Sequence, residues 1–245
     1  MPLAPIPFLR EIFMEPEKVE DPSVFPFTIP VIQNFDRLAF DPKVTFLVGE
    51  NGTGKSTLVE AIATLAGFNP EGGDKHLRFS TRSTQSALHE ALRLVRNPRR
   101  ERDGFFLRAE SFYNVVSALD DVGATRYGGR SLHSMSHGES FLALFDYRFA
   151  GNSLFVFDEP EAALSPQRQL VLLAHVHRLA ELEGCQFVIA THSPILLGYP
   201  GGTIYELEDG AIRQVAYEET ATYRVVRSFL LDRDRLLHRL LDPED

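Results

Sequence analysis

The 245-residue sequence has a single cysteine, Cys185, and only four lysines. No run approaches the ~18 consecutive apolar residues that a membrane span needs. One thiol excludes an internal disulfide and any cysteine-cluster metal site, and its place beside the apolar FVIA segment predicts a buried structural residue. The opening MPLAPIPFLRE reaches Arg10 and Glu11 without a basic start followed by an apolar run, so the expectation is an unprocessed cytoplasmic protein with no direct membrane insertion. Internal repeats, low-complexity tracts and the heptads of a coiled coil are also missing. Basic charge is in deficit: 25 Lys and Arg against 34 Asp and Glu give a formal charge of −9. That balance argues against a polybasic coat over the whole surface and leaves room only for a local basic stripe. With 44% hydrophobic and 24% charged residues, the composition excludes intrinsic disorder and collagen-like structure.

What is present alternates. Residues 1–43 are proline-rich around short apolar pieces, the pattern of edge strands and turns. VTFLV (44–48) reads as a strand and STLVEAIATLAG as a helix ending at Gly67. SALHEALRLVR (86–96) reads as helical, FFLRA (105–109) as a strand, SFYNVVSALDD (111–121) as a short helix and ESFLALFDYRF (139–149) as another. LFVF (154–157) and FVIA (187–190) are continuously apolar, as in strands covered on both faces. Between them SPQRQLVLLAHVHRLAEL is an amphipathic helix with Ser165 as cap and Pro166 at its first position. A hairpin is expected at Asp209-Gly210, then an amphipathic helical tail whose apolar face packs on the domain, with partner docking as the alternative. Strands alternating with helices predict an α/β fold: a mostly parallel central sheet with an N-terminal antiparallel portion and a helical subdomain.

Gly49, Gly52, Gly54, Lys55 and Ser56 satisfy GxxxxGK[ST] between a predicted strand and a predicted helix. In that setting the loop Gly49, Glu50, Asn51, Gly52, Thr53, Gly54, Lys55, Ser56, Thr57 can close backbone N–H groups around phosphate. Lys55 then reaches the terminal phosphates, and Ser56 offers a hydroxyl to Mg²⁺. Asp158 and Glu159 follow LFVF at the strand end where ligands of open α/β sheets gather. One carboxylate can hold the magnesium and the other can polarise an attacking water. Together the two motifs imply a Mg²⁺-using nucleoside triphosphatase.

The text between and after these motifs resembles the ABC ATPase superfamily. Ser136-His137-Gly138-Glu139-Ser140 is similar to that family's signature, Ala163-Leu164-Ser165-Pro166 to its D-loop, and Ala190-Thr191-His192-Ser193-Pro194 to its switch-histidine loop. The four motifs run in family order over roughly residues 44–195. The ATHSP and PEAALSP forms are more similar to the soluble branch of DNA-repair, SMC-like and overcoming-lysogenization-defect proteins than to transporter subunits, and the whole text resembles a bacterial family of small ATPases without an assigned role. The resemblance implies a nucleotide-binding core at 1–82 and 150–215, a helical signature subdomain at 83–149 and a C-terminal helical extension at 216–245. It also implies ATP as the nucleotide, a homodimer formed around two ATP molecules, in which Ser136, Gly138 and Glu139 face the partner's nucleotide, and a His192 that senses the γ-phosphate.

Two positions depart from the family pattern. Glu139 stands where the signature carries glutamine and adds negative charge near phosphate unless a cation compensates. The Q-loop glutamine has no clean counterpart; Glu110 is the preferred substitute as a metal ligand, with Gln85 as the alternative. Only 80 residues separate Ser56 from Ser136, too few for a long coiled coil, and about fifty follow His192, so any nuclease is expected to be a separate partner protein. Arg93, Arg96, Arg99, Arg100 and Arg102 could grip nucleic acid, although a solvated loop is the simpler reading. His175 and His177, two apart on one helix, point to different faces and predict no zinc site. Two rivals follow: an ABC transporter subunit with a separate permease, and a nucleotide-gated nucleic-acid-binding module with little turnover.

Overall fold

Residue parity along the central strands builds two cores on opposite sides of one sheet. A computed structural model describes residues 7–75, 86–109, 117, 137–147 and 149–241. Its strands and α-helices, in chain order, are β1 (Leu9–Met14), α1 (Pro30–Gln33), β2 (Arg37–Ala39), β3 (Val44–Gly49), α2 (Lys55–Leu65), β4 (Leu92–Arg96), β5 (Asp103–Arg108), α3 (His137–Tyr147), β6 (Ser153–Asp158), α4 (Pro166–His177), β7 (Gln186–Ala190), α5 (Pro194–Leu197), β8 (Thr203–Glu208), β9 (Ala211–Val215), α6 (Ala221–Leu231) and α7 (Arg233–Leu241). The central sheet has the order β5-β6-β7-β3-β8-β9. All its neighbours run parallel except the β8/β9 hairpin.

Phe105, Leu107, Phe155, Phe157, Phe187 and Ile189 belong to the core that contains α3 and α4 residues. Phe106, Leu154, Val156, Val188 and Ala190 belong to the other, with α2 and the N-terminal strands. Strands buried on both faces explain their unbroken apolar text. Phenylalanine fills the first core. Phe149 lies 4.5 Å from Phe155 and meets Phe145 edge-on at 4.6 Å between centroids, geometries that add to simple area burial. Cys185 is buried beside it, and burial pushes its thiol up to about 11. It is the inert structural cysteine expected.

The proline-rich segment supplies a small antiparallel sheet, β2-β1-β4. Gln186, at the start of β7, fastens it to the central sheet. Its Oε1 accepts from the amides of Phe8 and Leu9, both at 2.8 Å, while Nε2 donates to the carbonyls of Leu9 at 2.9 Å and Asp41 at 2.8 Å. A buried amide with this many partners fixes register as well as proximity. The helix expected over 86–96 is absent. Ser86 caps a short 3₁₀ turn at Ala87–Glu90, and the chain then extends as β4, with Leu94 opposite Ile12 of β1. Pairing with β1 overrides the helix propensity of the segment, whose Leu92 and Leu94 also fit a period of two. Arg93 and Arg96 therefore sit on a strand rather than in a solvated loop.

The hairpin forms as expected, with Asp209 at φ 50° and Gly210 at φ 74°, the backbone of a tight primed turn. The tail is helical, but its apolar face does not pack on the domain. Val225 and Leu230 are 66% and 74% exposed, Phe229 is exposed as well, and neither α6 nor α7 has a buried residue. Among the described residues, the tail is anchored by the start of α6. Thr220, fully buried, caps it, and Glu206 Oε1 accepts from the Ala221 amide at 2.8 Å. No helix among the described residues is long and apolar enough to cross a membrane.

Candidate functional site

Three strand ends lie level because of register. Ala190 of β7 stands opposite Leu47 of β3 on one side and Asp158 of β6 on the other. The loop after β3, the carboxylates after β6 and the ATHSP turn after β7 therefore share the carboxyl edge of the sheet, where ligands of such folds bind.

The loop is built around two glycines. A Cβ on Gly49 would stand 2.3 Å from the Leu207 carbonyl oxygen of β8, so the close passage of β3 and β8 requires its absence. Gly54, at φ 99°, is the residue from which α2 starts, a left-handed conformation that costs other residues more. Asn51 and Gly52 are exposed, and Thr53 Oγ1 donates to the Glu50 carbonyl at 2.8 Å. Lys55 folds back over the loop and donates to the carbonyls of Gly49 at 2.7 Å and Glu50 at 3.0 Å. Burial pushes its amine below the ordinary lysine value, and Glu159, Asp158, Glu50 and Glu161 pull the other way. Here the lysine head group rests on carbonyl oxygens at the mouth of a helix N-terminus, where anions are favoured.

Ser56 Oγ donates to Asp158 Oδ1 at 3.1 Å, and Asp158 is 5% exposed. Two hard oxygen donors at this separation fit the chemistry of a Mg²⁺ site. Glu159 adopts φ 51° and ψ 53° ahead of Pro160, a sparsely populated conformation for a residue with a side chain. Its amide donates to the Ala190 carbonyl at 2.9 Å, and its Oε1 lies 3.3 Å from His192 Nε2. Glu161 reaches across to accept from the His192 amide at 2.6 Å. The turn is held from behind as well. Ser193 Oγ donates to Gln169 Oε1 at 2.6 Å, and Gln169 Nε2 donates to the Leu164 carbonyl at 3.1 Å. The arrangement places the glycine loop, the Ser56–Asp158 oxygen pair and a carboxylate beside an imidazole along one edge.

Two family models match this chain. Residues 44–119 match "AAA domain, putative AbiEii toxin, Type IV TA system", and residues 132–197 match "AAA ATPase domain". Together they contain the glycine loop, both strand-end carboxylates and the ATHSP turn. The zinc transport system ATP-binding protein AdcC of Streptococcus pneumoniae is 26% identical over 193 residues, covering 72% of this chain and 82% of that protein. The chain is a P-loop ATPase similar to ABC-type ATP-binding proteins. The thiamine import ATP-binding protein ThiQ of Photobacterium profundum is 27% identical over 177 residues, with 66% and 72% covered. Among solved structures, the SMC head domain from Thermotoga maritima is similar at 15% identity and a TM-score of 0.45, covering 85% of this chain and 98% of that one.

Elsewhere in the ATPase the start of α3 meets the segment that leads into α4. A Cβ on Gly138 would come within 2.3 Å of Arg168 Nη1 and 3.1 Å of the Ala163 carbonyl oxygen, so the first turn of α3 lies against the start of α4. Glu139 Oε1 is 3.6 Å from Arg168 Nη2. Arg168 thus places a cation beside Glu139. Ser136, Glu110 and Gln85 lie outside the described residues.

Sequence reasoning missed Arg108 and Glu60. Arg108 ends β5 directly opposite Asp158 of β6. Its Nη1 donates to Glu60 Oε2 of α2 at 2.8 Å, and its Nε lies 3.7 Å from Asp158 Oδ2. The signal was in FFLRAE: the last residue of a strand adjacent to the one carrying Asp158 must stand near it, and that residue is an arginine. The basic segment before this strand is partly committed to the protein itself. Arg96 and Lys75 both pair with the buried Glu101.

Proposed function

We propose that this ATPase hydrolyses ATP in a Mg²⁺-dependent manner and dimerises around two ATP molecules, acting in a soluble intracellular complex for DNA repair or defence. The observation that carries the catalytic part is the convergence of Ser56 with Asp158 and of Glu159 with His192 at the carboxyl edge of the sheet. Ser56 and Asp158 would hold Mg²⁺, which when bound neutralises phosphate charge. The loop amides and Lys55 bind the phosphates. Glu159 takes a proton from the attacking water, and His192 orients that water and reads the γ-phosphate. The dimer rests on the resemblance of the signature and D-loop motifs, with Gly138 and Glu139 at the start of α3.

Light scattering on the Glu159→Gln protein tests the reading. A doubling of molar mass only when Mg·ATP is present supports the nucleotide-bridged dimer; a mass that ATP leaves unchanged overturns it. A second reading, an ATP-binding subunit that works with a separate permease, is favoured by the names of AdcC and ThiQ. It predicts co-purification with a multi-spanning membrane protein, which the soluble reading does not.

A further inference from the structure

Glu161 stands outside the phosphate loop and outside the pair of carboxylates expected to work on magnesium and water. It nonetheless makes a contact that bears on both Glu159 and His192. The residue lies in the 3₁₀ turn Pro160–Ala163, two positions after Glu159, where the chain has just left β6. Its Oε1 accepts from the backbone amide of His192 at 2.6 Å, a link between segments 31 residues apart. The neighbouring amides have other partners. The Thr191 amide donates to the Leu47 carbonyl at 3.1 Å, and the Ser193 amide to Thr191 Oγ1 at 2.9 Å. The His192 amide, at the point where β7 has ended, is thus held by a side chain. A carboxylate acceptor makes this a charge-assisted bond, stronger than a neutral one.

We infer that Glu161 is a positioning residue: by holding the His192 main chain it sets the imidazole against Glu159 in the hydrolysis site. Among the described residues, Glu161 Oε2 and His192 Nε2 are buried atoms without a hydrogen-bond partner, and Nε2 stands 3.3 Å from Glu159 Oε1. Their alignment therefore depends on the backbone beneath them. Among the described residues, the tie from the 160–163 turn to the His192 amide is Glu161, while Ser193 is tied separately to Gln169. A misplacement of the imidazole by about 1 Å is enough to cost on the order of 100-fold in rate. Because Ala163, at the end of the same turn, lies against Gly138 at the start of α3, the contact also joins that end of α3 to the His192 loop through residues 161–163.

The inference rests on the proposed roles of Glu159 and His192, and its test separates the two. Proteins labelled with ¹⁵N-histidine, with the His192 signals assigned through His192→Gln, report the His192 amide and imidazole directly. Glu161→Ala is expected to shift both sets of signals and lower turnover about 10–100-fold with ATP affinity within twofold of the parent. Glu161→Gln, which keeps an acceptor, is expected to recover most of the lost turnover. In the Glu161→Ala/His192→Gln double variant, removing Glu161 is expected to add little to the loss from His192→Gln alone. If Glu161→Ala leaves the His192 signals in place, the positioning role is overturned whatever happens to activity. Signals that move while turnover stays unchanged support Glu161 as the residue that places His192, and overturn the catalytic role given to His192 instead.

Discussion

Ser56 Oγ and Asp158 Oδ1 lie 3.1 Å apart although 102 residues separate them. The first turn of α2 and the last residue of β6 thus share one hydrogen bond at the sheet edge. If this pair holds Mg²⁺, Asp158→Asn should raise the Mg²⁺ concentration for half-maximal ATP turnover by about tenfold or more, while circular dichroism stays that of the parent. An unchanged magnesium dependence would remove Asp158 from the metal.

Glu101 tests the internal electrostatics away from that edge. Its side chain is 2% exposed and pairs with both Lys75 and Arg96. Burial pushes its carboxyl up, but the hydrogen bonds from Lys75 and Arg96 prevail and hold it below the usual glutamate value. Glu101→Ala strands two cations around a buried space and should cost about 3 kcal/mol in urea unfolding at pH 7. The stabilisation is present at pH values above the unfolded glutamate value of about 4.5 and is lost as pH falls through the depressed folded one. The gap between parent and variant should therefore narrow in acid.

His175 has the same sign of linkage, in a higher pH range and from burial rather than ion pairing. Burial holds its imidazole below the ordinary value of 6.5, Asp146 opposes that shift and Arg178 adds to it. As pH falls below 6.5, the unfolded chain takes up a proton that the folded chain resists, so this residue makes the protein less stable toward acid. Replacing it by glutamine should flatten that part of the pH dependence. Denaturant midpoints compared at pH 7 and pH 5.5 should differ less in His175→Gln than in the parent, and an equal difference would discount the imidazole.

The helical tail yields a prediction of little effect. Phe229 and Leu230 are apolar, but they are 38% and 74% exposed. Substituting both by serine should leave the thermal midpoint within about 2 °C of the parent, because no cavity is opened. A loss of 8 °C or more would show that a partner surface covers them in solution.

Much of the site was legible because its motifs are local. The glycine loop needs small residues at fixed offsets before a helix, and Asp158-Glu159 needs only a buried strand in front of it. His192 was legible for the same reason, as the second residue after FVIA. Arg108, Glu60 and Glu161 were not, because each acts across a long sequence separation. Nothing in the spacing of FFLRAE says that β5 lies beside β6, although its parity is plain once the strands are adjacent.

The same distinction holds for the fold. Apolar runs, glycine breaks and caps such as Ser165 determined which segments would be strands, turns and helices along most of the chain, since those choices depend on neighbours within a few residues. Tertiary structure decided the rest. It turned the helical text of 86–96 into β4 because β1 offered an unpaired edge, and it left the amphipathic tail exposed because none of the described residues buries its apolar face. Periodicity shows that a face is apolar, but the hydrophobic effect acts on whatever lies opposite, and only the assembled chain supplies or withholds that partner.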